Sequence, residues 1–149
     1  SNVTDRVKLA SNGMLMLPYD IILFLKNTEY FRDVSEDDIV DIAELTREVE
    51  LSERNSVFFN SENLEFCYWV LSGTVISTSI SGTAKEYSRG NFIGNFIEDD
   101  DTFGTVDFQV IDNVRLLQIN KYELYEPIIN HIGIAQSFLN LEIEEFSEN

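Results

Sequence analysis

The stretch Gly90-Asn91-Phe92-Ile93-Gly94-Asn95, followed after an acidic interval by Thr102-Phe103-Gly104-Thr105-Val106, decides how this chain is read. Gly94 and Gly104 leave room for backbone amides to approach a ligand, since glycine has no Cβ to hold another group off. An anion bound there would need a bidentate arginine, several aimed amides, or both, because a buried charge without a counter-ion is costly. Thr102 carries no charge, and Asp99-Asp100-Asp101 place three carboxylates just before it, a field that repels an anion. Between Arg47 and Arg115 the cations are Arg54, Lys85 and Arg89. Arg89 adjoins the Gly90 turn and is the candidate for a displaced anion ligand; its plainer reading is a surface turn arginine.

Other chemistries fit this stretch less well. With Asp99 as the first position of a calcium loop, Asp101 falls third and Gly104 sixth, but Phe103 takes the fifth position and Val110 the twelfth, where a bidentate glutamate is required. The triplet therefore reads as a solvated acidic loop, and no metal site is expected. His131 is the single histidine, which excludes a histidine-rich metal centre, and it reads as a residue of a helix cap region. The lone Cys67 has neither a histidine nor a second cysteine near it in sequence, so it reads as a small buried hydrophobe on a strand. No catalytic residue and no cofactor is expected.

The wider composition bounds the class. The chain has 149 residues, 44% of them hydrophobic and 11 of them phenylalanine, enough for one core without disulfides. The formal net charge is -17. Residues 1–26 hold Arg6, Lys8 and Lys26 against Asp5 and Asp20, a net +1, which leaves -18 for the remainder. Such a field repels nucleic acid and anionic membrane surfaces, so neither is an expected partner. No secretory signal is visible, and the apolar run Ile21–Leu25 is far below the ~20 residues of a bilayer span. A cytoplasmic domain is expected. The chain does not begin with methionine, which reads as a piece of a longer protein. Asn2-Val3-Thr4 fits a glycosylation sequon, but with no export signal it reads as a chance match.

Residues 1–17 are polar and largely aperiodic and read as a linker or N-terminal arm, leaving 18–149 as the domain. Pro18 suits a helix start and Asp20 complements the positive end of its dipole, which predicts a short helix over Tyr19–Lys26. Ser35 with Asp38 resembles a capping box, and Ile39, Ile42 and Ala43 recur at helical spacing, predicting a helix over Glu36–Thr46. From Val49 the period becomes two. Ser72-Gly73, Ser81-Gly82 and Asp112-Asn113 read as breaks between short strands, with Gly73 and Gly90 at tight turns, which predicts a barrel or sandwich. Asn120 and Glu123 open a helical segment that Pro127 should interrupt, and a last helix should follow Gly133 with Ile134, Phe138 and Leu141 on its apolar stripe. Phe31 and Phe138 are predicted to be buried where helices meet the barrel.

The order of these pieces resembles the cyclic nucleotide-binding domain family. Leu71-Ser72-Gly73-Thr74-Val75 is the best single match, and the likeness extends from about Ile21 to Phe146. The resemblance implies a mainly β fold with flanking helices, a double-stranded β-helix of jelly-roll type. It implies a ligand pocket at Ile93, Gly94, Asn95, Thr102, Gly104 and Thr105, with Arg89 beside it. The family's cassette carries Phe-Gly-Glu and then Arg-x-Ala-Thr-Val; here Asn95 stands where the ribose-binding glutamate would be and Thr102 where the phosphate-binding arginine would be. The expectation is a non-catalytic regulatory or interaction module that does not bind cyclic AMP or cyclic GMP through the usual arginine. The alternative is a true sensor using backbone amides and Arg89, while an enzyme with carboxylate chemistry has no sequence feature to support it. Partners admitted by the resemblance are a cyclic nucleotide or other small ligand, the rest of a larger parent protein, membrane-bound parents included, and a second copy in a homodimer.

Overall fold

The computed structural model describes residues 16–52, 59–60, 65–79, 81–94 and 106–138. The chain divides into two compact units, one built on Arg47–Lys121 and one on Met16–Thr46 together with the segment from Tyr122 onward.

The first unit is an antiparallel sheet of six strands: β1 (Arg47–Leu51), β2 (Phe59–Asn60), β3 (Phe66–Ser79), β4 (Ala84–Tyr87), β5 (Phe92–Ile93) and β6 (Val106–Asn120). The long strands β3 and β6 pair from Phe66↔Asn120 to Ser79↔Val106. One end of this ladder is flanked by β1 on β6 and β5 on β3; the other is flanked by β2 on β6 and β4 on β3. The sheet therefore has two four-stranded halves that share the same two central strands.

Between the halves the register shifts twice, from Val70↔Leu116 to Ser72↔Arg115 and then to Thr74↔Ile111. Leu71 is extra on β3, and Asp112, Asn113 and Val114 stand against the single Gly73. Gly73 adopts φ +86° and Asp112 φ +59°. Ser72-Gly73 and Asp112-Asn113, expected as strand breaks with Gly73 at a turn, instead lie inside continuous strands. Local turn propensity is satisfied by a paired irregularity, because each strand keeps its partner on either side of the kink.

The kink rephases the pleat. Tyr68 and Val70 face the interior before it, Val75 and Ser77 after it, and Val49, Leu51, Ile93, Phe108, Val110, Val114 and Leu116 complete one apolar cluster from both halves. The opposite face of the first half carries Cys67, Trp69, Leu117 and Ile119, also buried.

In the second unit, α1 (Pro18–Lys26) begins with proline at its first position, carries Asp20 in its first turn, and ends with Lys26, whose ammonium donates to the Val34 carbonyl. Helix α2 (Glu36–Ala43) is capped by Ser35, whose hydroxyl accepts from Asp38 N at 3.3 Å. It stops before the expected Thr46. Leu45 N bonds Ile42 O at 3.0 Å and Thr46 N bonds Ala43 O at 3.1 Å, so the last turn tightens, and the Thr46 hydroxyl adds a bond to Ala43 O at 2.7 Å.

Helix α3 (Lys121–Asn130) runs through Pro127 without interruption. Proline loses the bond to the carbonyl four residues earlier and crowds that carbonyl, but Pro127 is buried, so packing offsets the cost. Helix α4 begins at 132, ahead of Gly133, and the described part reaches 138. A Cβ on Gly133 would meet nothing within 4 Å, so packing does not require a glycine there. Phe31 and Phe138 are both buried, with ring centroids 5.7 Å apart, and Tyr30 stacks on Phe138 at 4.3 Å. Leu141 lies outside the described residues.

Candidate functional site

Ser88 to Asn91 form the turn between β4 and β5. Asn91 Oδ1 accepts from Ser88 N at 2.8 Å, Asn91 N donates to Ser88 O at 2.9 Å, and Gly90 adopts φ +89°. The turn is fastened to β3 on both sides of Val70, whose N donates to Asn91 O at 3.0 Å and whose carbonyl accepts from Gly90 N at 2.8 Å. Arg89 extends from this turn, and its Nη1 donates to the Leu71 carbonyl at 2.7 Å. Leu71 is the extra residue at the β3 register shift, so its carbonyl is displaced from the ladder and the guanidinium supplies a donor. The candidate anion ligand is thus engaged with the backbone at the kink.

Ile93 pairs with Tyr68 and sits in the interior cluster, 1% exposed. Gly94, one residue on, belongs to the opposite face: a Cβ there would lie 2.7 Å from Cys67 Sγ and 2.9 Å from two Phe92 ring atoms. Its lack of a side chain is required by packing on Cys67, whatever its amide does. Asn95, Thr102, Gly104 and Thr105 lie outside the described residues. Of the predicted pocket, Arg89 precedes β5 and reaches the Leu71 carbonyl, whereas Ile93 and Gly94 lie at the other end of the strand and face opposite sides of the sheet.

Three polar arrangements escaped the sequence reading. Inside the roll, Gln118 Nε2 donates to Tyr68 Oη at 3.2 Å, with both residues 7% exposed. Burial pushes the Tyr68 phenol up to about 12, against the lowering effect of the Gln118 bond. On the other face of the first half, the Arg115 guanidinium pairs with the buried Glu48 carboxylate. The third involves His131. Its backbone behaves as a cap-region residue, the carbonyl accepting from Ala135 N at 3.0 Å. Its ring faces two carboxylates of α2, with Nδ1 3.4 Å from Asp38 Oδ1 and Nε2 3.7 Å from Asp41 Oδ2. Asp38 and Asp41 are neighbours at helical spacing, but their distance from His131 in sequence hid the pairing.

Beside His131 lies an open cleft of about 440 Å³ lined by Asp33, Ser35, Asp38, Asn130, Ile132 and Ile134, among others. Among the described residues no group of three or more His, Cys, Asp or Glu side chains is placed to hold a metal ion. Among them, too, no helix is long and apolar enough to cross a membrane.

The chain has the fold of cyclic nucleotide-binding domains. A putative cyclic nucleotide-binding protein from Geobacter metallireducens is 19% identical, with TM-score 0.66 over 85% of this chain and 92% of that one. The C-linker/CNBHD of zELK channels, crystallised in the presence of cAMP, is 17% identical with TM-score 0.65 over 86% and 68%. The regulatory subunit of a cAMP-independent protein kinase A from Trypanosoma cruzi, bound to guanosine, is 17% identical with TM-score 0.61 over 86% of this chain and 50% of that one. Neither a protein-family profile nor a curated protein sequence matches the chain.

Proposed function

We propose that this chain is a non-catalytic regulatory or interaction module whose cassette does not hold cyclic AMP or cyclic GMP through an arginine. The feature that carries this reading is chemical: Thr102, behind Asp99-Asp100-Asp101, stands where the resemblance puts the cassette's cation. A buried cyclic phosphate there would meet repulsion in place of a bidentate partner. The engagement of Arg89 with the Leu71 carbonyl supports the same reading, since turning it to a ligand would remove a donor from the kink.

Titration calorimetry with cyclic AMP and cyclic GMP tests it. Binding no tighter than about millimolar, near -4 kcal/mol, is expected. Micromolar binding of either nucleotide overturns the proposal, and its loss in Arg89→Ala would identify the displaced cation. Hydrogen exchange gives a second readout: cyclic nucleotide should leave the amides of residues 134–146 unchanged, since a ligand shifts an equilibrium only through differential affinity.

A second reading is favoured by the guanosine bound to the Trypanosoma cruzi neighbour. A nucleoside carries no phosphate and needs no arginine, so guanosine and adenosine form a separate arm of the titration. Saturable binding of either would make the module a sensor of an uncharged ligand.

A further inference from the structure

Helix α3 is apolar on two sides. Leu124 and Pro127 are buried, whereas Tyr122, Tyr125 and Ile129 recur at helical spacing on the outward side. Tyr122 is 60% exposed and Ile129 74%, and the Tyr122 and Tyr125 rings meet at 6.1 Å in an edge-on arrangement. At the end of the helix the cleft beside His131 begins, with Ile132, 73% exposed, on its wall. An isolated exposed hydrophobe needs no explanation, but a row of them with tyrosines at one end has the composition of a protein-binding patch.

The charge of the helical unit selects the occupant of this row. The described residues of the helical unit, 16–46 and 122–138, carry ten carboxylates (Asp20, Glu29, Asp33, Glu36, Asp37, Asp38, Asp41, Glu44, Glu123 and Glu126) against Lys26 and Arg32, a net charge of -8. Lys26 is already engaged with Val34 O. Glu123 and Glu126 lie beside the row on α3, Asp33 and Asp38 line the cleft, and α3 ends there without a basic residue to offset its negative carbonyl end. A second copy of so acidic a surface would be repelled.

We propose that this face docks a basic amphipathic helix of a partner protein. Its apolar side chains would lie along Tyr122, Tyr125 and Ile129, and a lysine or arginine would enter the cleft between Asp33 and Asp38. The mode is helix recognition read by anchors at helical spacing, with charge setting the partner's sign. It is independent of whether the cassette holds a ligand.

The probes are a synthetic amphipathic peptide with a leucine face and a lysine face, and the same peptide with glutamate for lysine. Each is titrated into the 149-residue chain by calorimetry and by amide chemical-shift mapping. The lysine peptide should bind, shift amides of residues 33–38 and 122–132, and weaken at least tenfold in both Tyr122→Ser with Ile129→Ser and Asp33→Asn with Asp38→Asn. The glutamate peptide should not bind. The exposed positions of Tyr122 and Ile129 make the first variant tolerable to folding, and its unchanged far-ultraviolet spectrum checks this. Failure to bind overturns the proposal, as does binding that both variants leave intact. A concentration-dependent dimer abolished by Ile129→Ser would assign the face to a second copy instead.

Discussion

A methyl group on Gly94 would stand 2.7 Å from Cys67 Sγ and 2.9 Å from the Phe92 ring, closer than packed atoms approach. Gly94→Ala should therefore cost about 1–3 kcal/mol by overpacking, and Cys67→Ala should recover part of that loss in the double variant. Chemical denaturation of the four-member cycle measures the coupling; strict additivity would mean that Gly94 is not held by Cys67. Tyr68 offers a pH-dependent counterpart. Its folded-state pKa, raised from 10.0 to about 12, keeps the phenol protonated where the unfolded chain has released its proton. The resulting stability is whole below pH 10 and is lost as pH rises towards 12, by roughly 3 kcal/mol. Urea melts from pH 9 to 12 should show the advantage of the native protein over Tyr68→Phe shrinking across that interval; a constant gap would mean that the phenol is not buried. Neither role could be read from the sequence, because each depends on which face of the sheet a residue occupies. That parity follows from the Tyr68↔Ile93 and Tyr68↔Gln118 registers.

Gly73 illustrates the same limit for a whole element. The residue was legible as one needing conformational freedom, but the turn inferred from it is a kink between two paired strands, visible only with the facing Asp112 and Asn113 in place. A Cβ on Gly73 would lie 2.5 Å from Asn113 O, a backbone atom that cannot swing away. Gly73→Ala should destabilise by at least about 3 kcal/mol, through both positive φ and this contact. At Gly82, φ +89° but open around its Cβ position, Gly82→Asn should cost no more than about 1 kcal/mol. Equal costs in thermal melts would show that φ alone governs both sites. The helices were more legible because their signals are local: Pro18 and Asp20 mark the start of α1, and Ser35 caps α2 as its spacing to Asp38 suggested. Phe138 belongs here as well. It is 3% exposed and packs against the rings of Tyr30 and Phe31, so Phe138→Ala should cost about 3–5 kcal/mol in a denaturant melt.

Across the molecule the net charge of -17 is a destabilising field as well as a selector of partners. Its sign and size were legible from composition; its concentration on the helical unit required the fold. At low ionic strength the carboxylates of α2 repel one another over a Debye length near 30 Å at 0.01 M salt, which shrinks to about 8 Å at 0.15 M. Raising sodium chloride across that range should lift Tm by a few degrees, corresponding to about 1 kcal/mol for a chain of this length. A chain held mainly by exposed ion pairs would respond the other way, so a fall in Tm would refute the repulsive picture. One substitution isolates the helical share of the effect. Glu44 is exposed at the carbonyl end of α2, where the dipole already presents negative charge and the last turn holds no basic residue. Glu44→Lys should raise stability by about 0.5–1 kcal/mol at low salt and flatten the salt response. A stabilisation that persists undiminished at 1 M salt, where the Debye length is about 3 Å, would trace the gain to packing and leave the charge of this unit without the role assigned to it.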